Sequence, residues 1–215
     1  MVDKDTFLNA VLPHVVFDGW SGYAMDTAAK QLGCETTAVK ALFPRGAVDA
    51  ALSYHQRGDT EMVAHLQEAD RAEMRYRDRI ALGVRLRLEV ADKELVRRGM
   101  ALFALPQYAA LGSAAVWSTT GHIWDALGDS SRDINWYTKR AMLSAVYSAT
   151  VLFWLGDDSE GNTDTWAFLD RRIDDAMQIE KVKGRVRENG LFQAFMRGPG
   201  RVLDHVRAPH TRNNE

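Results

Sequence analysis

The chain has 215 residues, of which 46% are hydrophobic and 26% charged, with a formal net charge of −2, so it is long enough to bury a substantial core as one domain. Cys34 is the only cysteine, which excludes an internal disulfide framework and a cysteine zinc cluster and suits a reducing compartment. No stretch approaches eighteen uninterrupted apolar residues, and the richest, AMLSAVYSATVLFWLG at 141–156, is studded with Ser and Thr, as expected for the central helix of a folded bundle. The first residues carry neither the basic and apolar blocks of a signal peptide nor an Arg/Ser-rich transit sequence, and the expectation is that the mature protein begins here.

Apolar residues recur at helical spacing and hairpin turn signals are missing, which predicts an all-α chain. The first helix carries Phe7, Leu8, Val11, Leu12, Val15 and Val16 on one stripe, with Pro13 as an expected kink. A second helix runs to Gly33, and a third, shorter one from Thr36 to Phe43 ends before Pro44, so that three short helices form one unit. A fourth, at about 47–56, is expected to stop at Gly58 and Asp59. From there to about 98 the spacing predicts one long amphipathic helix or two abutting ones, with Ile80, Val84 and Leu88 inward and Arg75, Arg79, Arg85 and Arg87 between them. Further helices are predicted at about 92–105, 107–127, 133–155 and 161–180, with Ser131 or Asp133 and Thr163 or Asp164 as N-caps. The organisation is a helix-turn-helix-like head at 1–57, pocket and dimerisation helices at 58–180, and a tail at 181–215. From Lys181 onward eight Lys and Arg face three acids, so a basic tail follows a body of charge −7, a pattern that suits an anionic surface.

Catalytic signatures are scarce. The sequence lacks the nucleophile elbow G-x-S-x-G, the dinucleotide fingerprint G-x-G-x-x-G and the phosphate loop. Its six histidines form no H-x-x-x-H pair, and no carboxylate stands three residues before any of them, so the spacing of helical zinc and di-iron sites is missing. The expectation is a non-enzyme without metal or cofactor. In the head, residues 10–44 resemble the DNA-binding unit of TetR-type repressors in helix lengths, turn glycines and apolar spacing, with CETTAVKAL in the reading position. Between Ser21 and Gln56, however, Lys30, Lys40 and Arg45 are matched by Asp26, Glu35 and Asp49, and DNA binding needs a basic footprint. A TetR-type regulator with a lipid effector is the alternative reading, with no nucleic-acid partner in the leading one.

In DINWYTKRAM, at 133–142, Trp136 and Tyr137 are neighbours and so point about 100° apart on a helix. Trp136 shares a face with Arg140, Leu143 and Tyr147, whereas Tyr137 shares one with Ala141 and Ala145. Either the preceding segment shields the rings, or they form a partner-binding patch.

The segment WDALGDSSRDINWYTKRAMLSAVYSAT, followed by DTWAFLDRRIDDAM, resembles the signature of the lipid-binding accessory proteins of coenzyme Q biosynthesis, the ninth of the Coq series, and the similarity extends more weakly over about residues 5–197. The resemblance implies a TetR-like all-α fold that has abandoned DNA, holds an isoprenoid lipid in the effector pocket, and forms a homodimer through its last core helices. It implies ubiquinone biosynthesis as the process, and presentation of a quinone precursor to the di-iron hydroxylase of demethoxyubiquinone as the task. Residue by residue, the partner surface would comprise Trp124, Asp133, Asn135, Trp136, Tyr137 and Arg140. Lipid-contacting residues inferred from the apolar helix faces are Met142, Val146, Leu152, Phe153 and Phe168. A terminal amphipathic helix with Leu191, Phe192, Phe195, Met196 and Arg197 would settle on the membrane, although GPG at 198–200 interrupts it. Without an import sequence, the expectation is a bacterial member at the cytoplasmic face of the inner membrane.

Overall fold

Asp3, Ser21 and Asp92 each set a helix in motion by the same device, a side-chain oxygen accepting the orphan N–H three residues on: Thr6 N at 2.7 Å, Ala24 N at 3.2 Å and Leu95 N at 3.0 Å. The computed structural model describes residues 2–188 together with 207 and 208, and these are helical throughout apart from short connections. In chain order the helices are α1 (Lys4–Asp18), α2 (Gly22–Gln31), α3 (Thr36–Leu42), α4 (Ala47–Glu68), α5 (Tyr76–Glu89), α6 (Lys93–Phe103), α7 (Ala109–Ala126), α8 (Ile134–Leu155) and α9 (Thr163–Glu188), with a single 3-10 turn at Glu160–Asn162. Pro13 lies inside α1 without ending it. Gly19 ends α1 at φ 66, a left-handed conformation that costs glycine little, while its N–H bonds Val15 O.

The fourth helix does not stop at Gly58. It continues to Glu68, because this glycine serves close packing and is no breaker: a Cβ at position 58 would lie 2.8 Å from Arg87 Nη1. The stretch expected as one long or two abutting helices therefore holds the second half of α4, all of α5 and the start of α6, separated by turns. Arg87, placed by its spacing between the inward residues of α5, is only 3% exposed. Asp133 caps α8 by accepting Asn135 N at 2.9 Å. At the start of α9 neither expected cap acts. Asp157, from before the 3-10 turn, accepts both the N–H and the hydroxyl of Thr165, which fixes the entry angle of this last helix.

Two apolar cores result. The first joins Phe7, Leu8, Val11 and Val15 of α1 to Ala24, Met25 and Ala28 of α2 and to Phe43, with Ala50 and Ala51 from the start of α4. The second gathers Met62 and Leu66 from the end of α4 with Val84, Leu88, Ile123, Leu143 and Trp154. The head is moored to α6, since Trp20 Nε1 donates to Leu95 O at 3.2 Å and Arg98 Nη2 to Val16 O at 3.0 Å. Helix α4 runs through both cores, and α5, α6, α7 and α8 stand around the space beside it. Packing is close where α5 meets α7: a Cβ at Gly83 would come within 2.9 Å of Ile123 Cγ2, which is fully buried. Gly83→Ala is expected to lower stability by about 1–3 kcal/mol through overpacking, read as a fall in the urea midpoint; an unchanged midpoint would show that α5 and α7 can separate freely.

Candidate functional site

Four positions on α8 that follow the helical repeat, Ala141, Ala145, Ser148 and Leu152, form one stripe, and three of them are too small to reach the neighbouring helices. The space they leave is a cavity of about 770 Å³. Val96, Met100 and Phe103 of α6 close it on one side, Ala115, Val116 and Trp117 of α7 on another, and Ala51, Tyr54 and His55 of α4 complete the wall. The lining is predominantly apolar, and the volume falls within the roughly 300–1,000 Å³ usual for small-molecule sites.

Of the five residues expected to touch lipid, Leu152 lines this cavity. Met142, Val146 and Phe153 do not, because one step along α8 turns a side chain about 100° away from the stripe, and Phe168, on α9, does not line it either. Val146 joins the second core, and Phe153 stacks on Phe168 with ring centroids 4.5 Å apart. The expectation chose the greasiest residues, whereas room for a ligand comes from the small ones.

One region of the cavity wall is polar. Asp59, 1% exposed, accepts Arg87 Nε at 2.7 Å and the Thr119 hydroxyl at 2.8 Å, both on Oδ1. His55 Nε2 faces the Thr119 hydroxyl oxygen at 2.8 Å and Ala115 O at 3.2 Å, while its Nδ1 lies 3.3 Å from Arg87 Nη2. A carbonyl can only accept, so Nε2 carries the hydrogen and Nδ1 accepts from Arg87. Burial pushes the His55 imidazole below its usual range, which keeps it neutral and agrees with that tautomer. Burial would raise the Asp59 carboxyl, but contact with His122 and the charge of Arg87 outweigh it, and the acid is held below the usual carboxylate range. His122 Nδ1, 3.4 Å from Asp59 Oδ2, is an ion contact more than an aligned hydrogen bond, and its pKa is raised by the carboxylate. Among the described residues no three His, Cys, Asp or Glu side chains gather as a metal site. The sequence carries this pair in a spacing distinct from H-x-x-x-H or an acid three residues before a histidine: His55-x-x-x-Asp59, an i,i+4 pair on one helix face.

The aromatic neighbours adjoin the cavity. Trp136 and Tyr137 are both half-buried and meet edge to face at 4.8 Å, and Trp117, a cavity-lining residue, lies 6.0 Å from the first ring and 6.5 Å from the second. The two rings therefore share one cluster instead of dividing between core and surface. Arg140 stacks its guanidinium 4.0 Å over Trp136, bonds Asp125 at 2.6 Å, and reaches Asp129 at 3.4 Å. Lys139 bonds the other side of Asp129 at 2.7 Å. Two residues expected on the contact surface are corrected here: Arg140 is 1% exposed and Trp124 6%, so neither can be an exposed anchor. Trp124 packs in the second core beside Tyr76, and Arg140 holds the Trp136 ring from beneath. Asp133 accepts the Asn135 side-chain amide at 2.9 Å as well as its N–H, so this pair shapes the start of α8. Tyr137 donates its hydroxyl to Arg207 O at 3.1 Å, and Ala208 N donates to Arg132 O at 3.0 Å, which lays part of the chain end beside the cluster. Leu191, Phe192, Phe195, Met196 and Arg197 lie outside the described residues. No helix among the described residues is long and apolar enough to cross a membrane.

The architecture is shared with a solved TetR transcriptional regulator from Nitrosomonas europaea, at a TM-score of 0.66 with 17% identity over 81% of this chain and 98% of that one, a likeness of fold alone. The COQ9 family model matches residues 109–180, the span of α7, α8 and most of α9 that carries the aromatic cluster. The human ubiquinone biosynthesis protein COQ9, mitochondrial, is 32% identical over 200 residues, 88% of this chain and 63% of that protein. Its Drosophila melanogaster counterpart is 31% identical over 88% of this chain and 59% of that protein. A probable ubiquinone biosynthesis protein coq9 of Dictyostelium discoideum is 28% identical over 86% and 63%. The chain thus spans somewhat less than two thirds of the length of these relatives. With an all-helical TetR-like fold, a match to the family model across α7, α8 and most of α9, and similarity to these proteins over most of its length, the chain resembles the COQ9 family.

Proposed function

We propose that this protein is a non-catalytic carrier of ubiquinone biosynthesis: it draws an isoprenoid quinone precursor from a membrane surface into its cavity and presents it to the hydroxylase that acts on demethoxyubiquinone. The observation that carries this reading is the double role of Trp117, whose ring lines the apolar cavity and also touches Trp136 and Tyr137. A ligand-holding space and a surface suited to a protein partner are thereby in contact through one side chain. Leaving the bilayer costs a prenyl chain about 0.8 kcal/mol per methylene exposed, and an apolar wall offsets that cost.

The process is drawn from the names of the relatives, and the cavity and cluster fit it. A repressor's task fits less well. In the head, Arg45 is tied to Asp49 at 2.6 Å, which leaves Lys40 as the cation of α3 and no basic footprint for phosphates. For the homodimer, the stacked Phe153 and Phe168 offer an apolar feature on the outer side of α8 and α9, the helices through which the chain would pair. The basic segment after Lys181 would bring the protein to anionic lipid at the inner face of a bacterial membrane.

Lipid extraction of the purified protein, followed by mass spectrometry, tests the carrier. An isoprenoid or other lipid bound in about stoichiometric amount is expected, as is uptake of a prenylated quinone from loaded liposomes. Protein that holds no lipid and takes up none would reject the reading.

A further inference from the structure

The polar wall of the cavity carries more than the carrier function requires, because a container for a prenyl tail needs no buried ion pair. Arg87 has two of its three guanidinium nitrogens engaged, Nε by Asp59 and Nη2 by His55 Nδ1 and His55 O. Its third, Nη1, makes no hydrogen bond within the described residues, and Arg87 lines the cavity. Tyr147 lines it too. That residue is 5% exposed, its hydroxyl bonds no other described group, and burial raises its pKa so that the proton stays on. Two donors on the wall thus have no acceptor among the described residues, and neither is sealed off, so both remain open to an acceptor brought by a ligand.

Charge decides which acceptor they await. Among the residues lining the cavity, Arg87 is the one that is always charged, and Asp59 behind it already supplies the compensating carboxylate. His55 is neutral in the tautomer its partners impose. Arg87 and Asp59 cancel, and His122, which also touches Asp59, does not line the cavity, so an anionic head such as a diphosphate would bring a buried charge with no free counter-ion on the wall to meet it. An uncharged oxygen meets both donors without that penalty.

We infer that Tyr147 and Arg87 form a head-group subsite for an uncharged, oxygen-bearing ring, a quinone carbonyl or a phenolic or alkoxy oxygen, at the polar wall of an otherwise apolar cavity. Asp59, His55 and Thr119 are positioning residues that fix Arg87 and cancel its charge. This rests on the carrier reading above and adds to it a criterion for which isoprenoids are accepted.

The test uses three probes that share one geranyl chain, namely geranyl-1,4-benzoquinone, geranylbenzene and geranyl diphosphate, titrated calorimetrically into the full chain and into Tyr147→Phe. The variant removes a single oxygen from a ring whose packing it keeps, and circular dichroism confirms the fold. The wild type is expected to bind the quinone about tenfold more tightly than geranylbenzene, and the diphosphate more weakly than the quinone. Tyr147→Phe should lose about five- to tenfold for the quinone and nothing for geranylbenzene, as the removal of one hydrogen bond implies. Equal binding of quinone and geranylbenzene, or an unchanged quinone affinity in the variant, would overturn the subsite and leave the carrier intact. Preference for the diphosphate would overturn the electroneutral assignment. Failure of all three probes to bind would remove the carrier reading itself, and the subsite with it.

Discussion

Arg87→Met is expected to destabilise the protein by about 3–5 kcal/mol, because it strands the Asp59 carboxylate, only 1% exposed, without its cation. Against a total stability on the order of 5–15 kcal/mol this is a large fraction, and it should appear as a pronounced fall in the urea midpoint. The double variant Asp59→Leu with Arg87→Met should recover much of that loss, since two apolar side chains need no partners, and the cycle isolates the pairing from the packing. A single variant as stable as wild type would mean that water reaches Asp59. The pH dependence carries a sign as well. Asp59 is held below its unfolded value of about 3.9, so its contribution is complete above that value and is lost as pH falls through the lower folded one. In the single variant this acid-side loss should shrink, because Arg87 is among the groups that depress the carboxyl.

Trp136→Ala is the second variant with a large expected effect, this time on association and not on folding. Its ring is half-buried, held between Tyr137, Trp117 and the Arg140 guanidinium, and so presents a rigid apolar edge at little entropic cost. If this cluster is the docking surface, truncation should weaken binding to the demethoxyubiquinone hydroxylase by about 2 kcal/mol or more, roughly thirtyfold, with the thermal midpoint little changed. Arg140→Met should weaken it too, although Arg140 is buried, because the Trp136 ring loses the cation that fixes it. Association unchanged in Trp136→Ala, measured by surface plasmon resonance with purified hydroxylase, would remove the cluster from the interface.

The two variants probe features that were unequally visible in the sequence. Trp136 and Tyr137 stood out because apolar area beside a polar turn conflicts with a simple amphipathic stripe. Arg87 did not, because an arginine on a charged helix looks solvated until the helix opposite is known. Nothing local in RLRLE distinguishes Arg85, which pairs with Glu89 at the surface, from Arg87, which pairs with Asp59 28 residues away. The Gly58-Asp59 step looked like a break for the same reason: glycine is a helix breaker by propensity, and only the guanidinium packed on it shows that a side chain there would collide.

What the sequence determined by itself were properties with a short period. Helical repeats fixed the all-α class, the inward stripe of α1 and the bounds of α6, α7 and α8 to within about two residues, because amphipathic spacing and caps act over one or two turns. The long signature in α7 to α9 likewise carried the resemblance to the COQ9 family. Only the tertiary structure decided where the empty volume lies and what faces it. The cavity is defined by Ala141, Ala145 and Ser148, whose significance is that they fail to reach across, and by Tyr147, His55 and Arg87, brought together from three helices. Absence of volume leaves no hydrophobic signal in a chain, and long-range charge pairing leaves no period; both arise when the helices are set side by side.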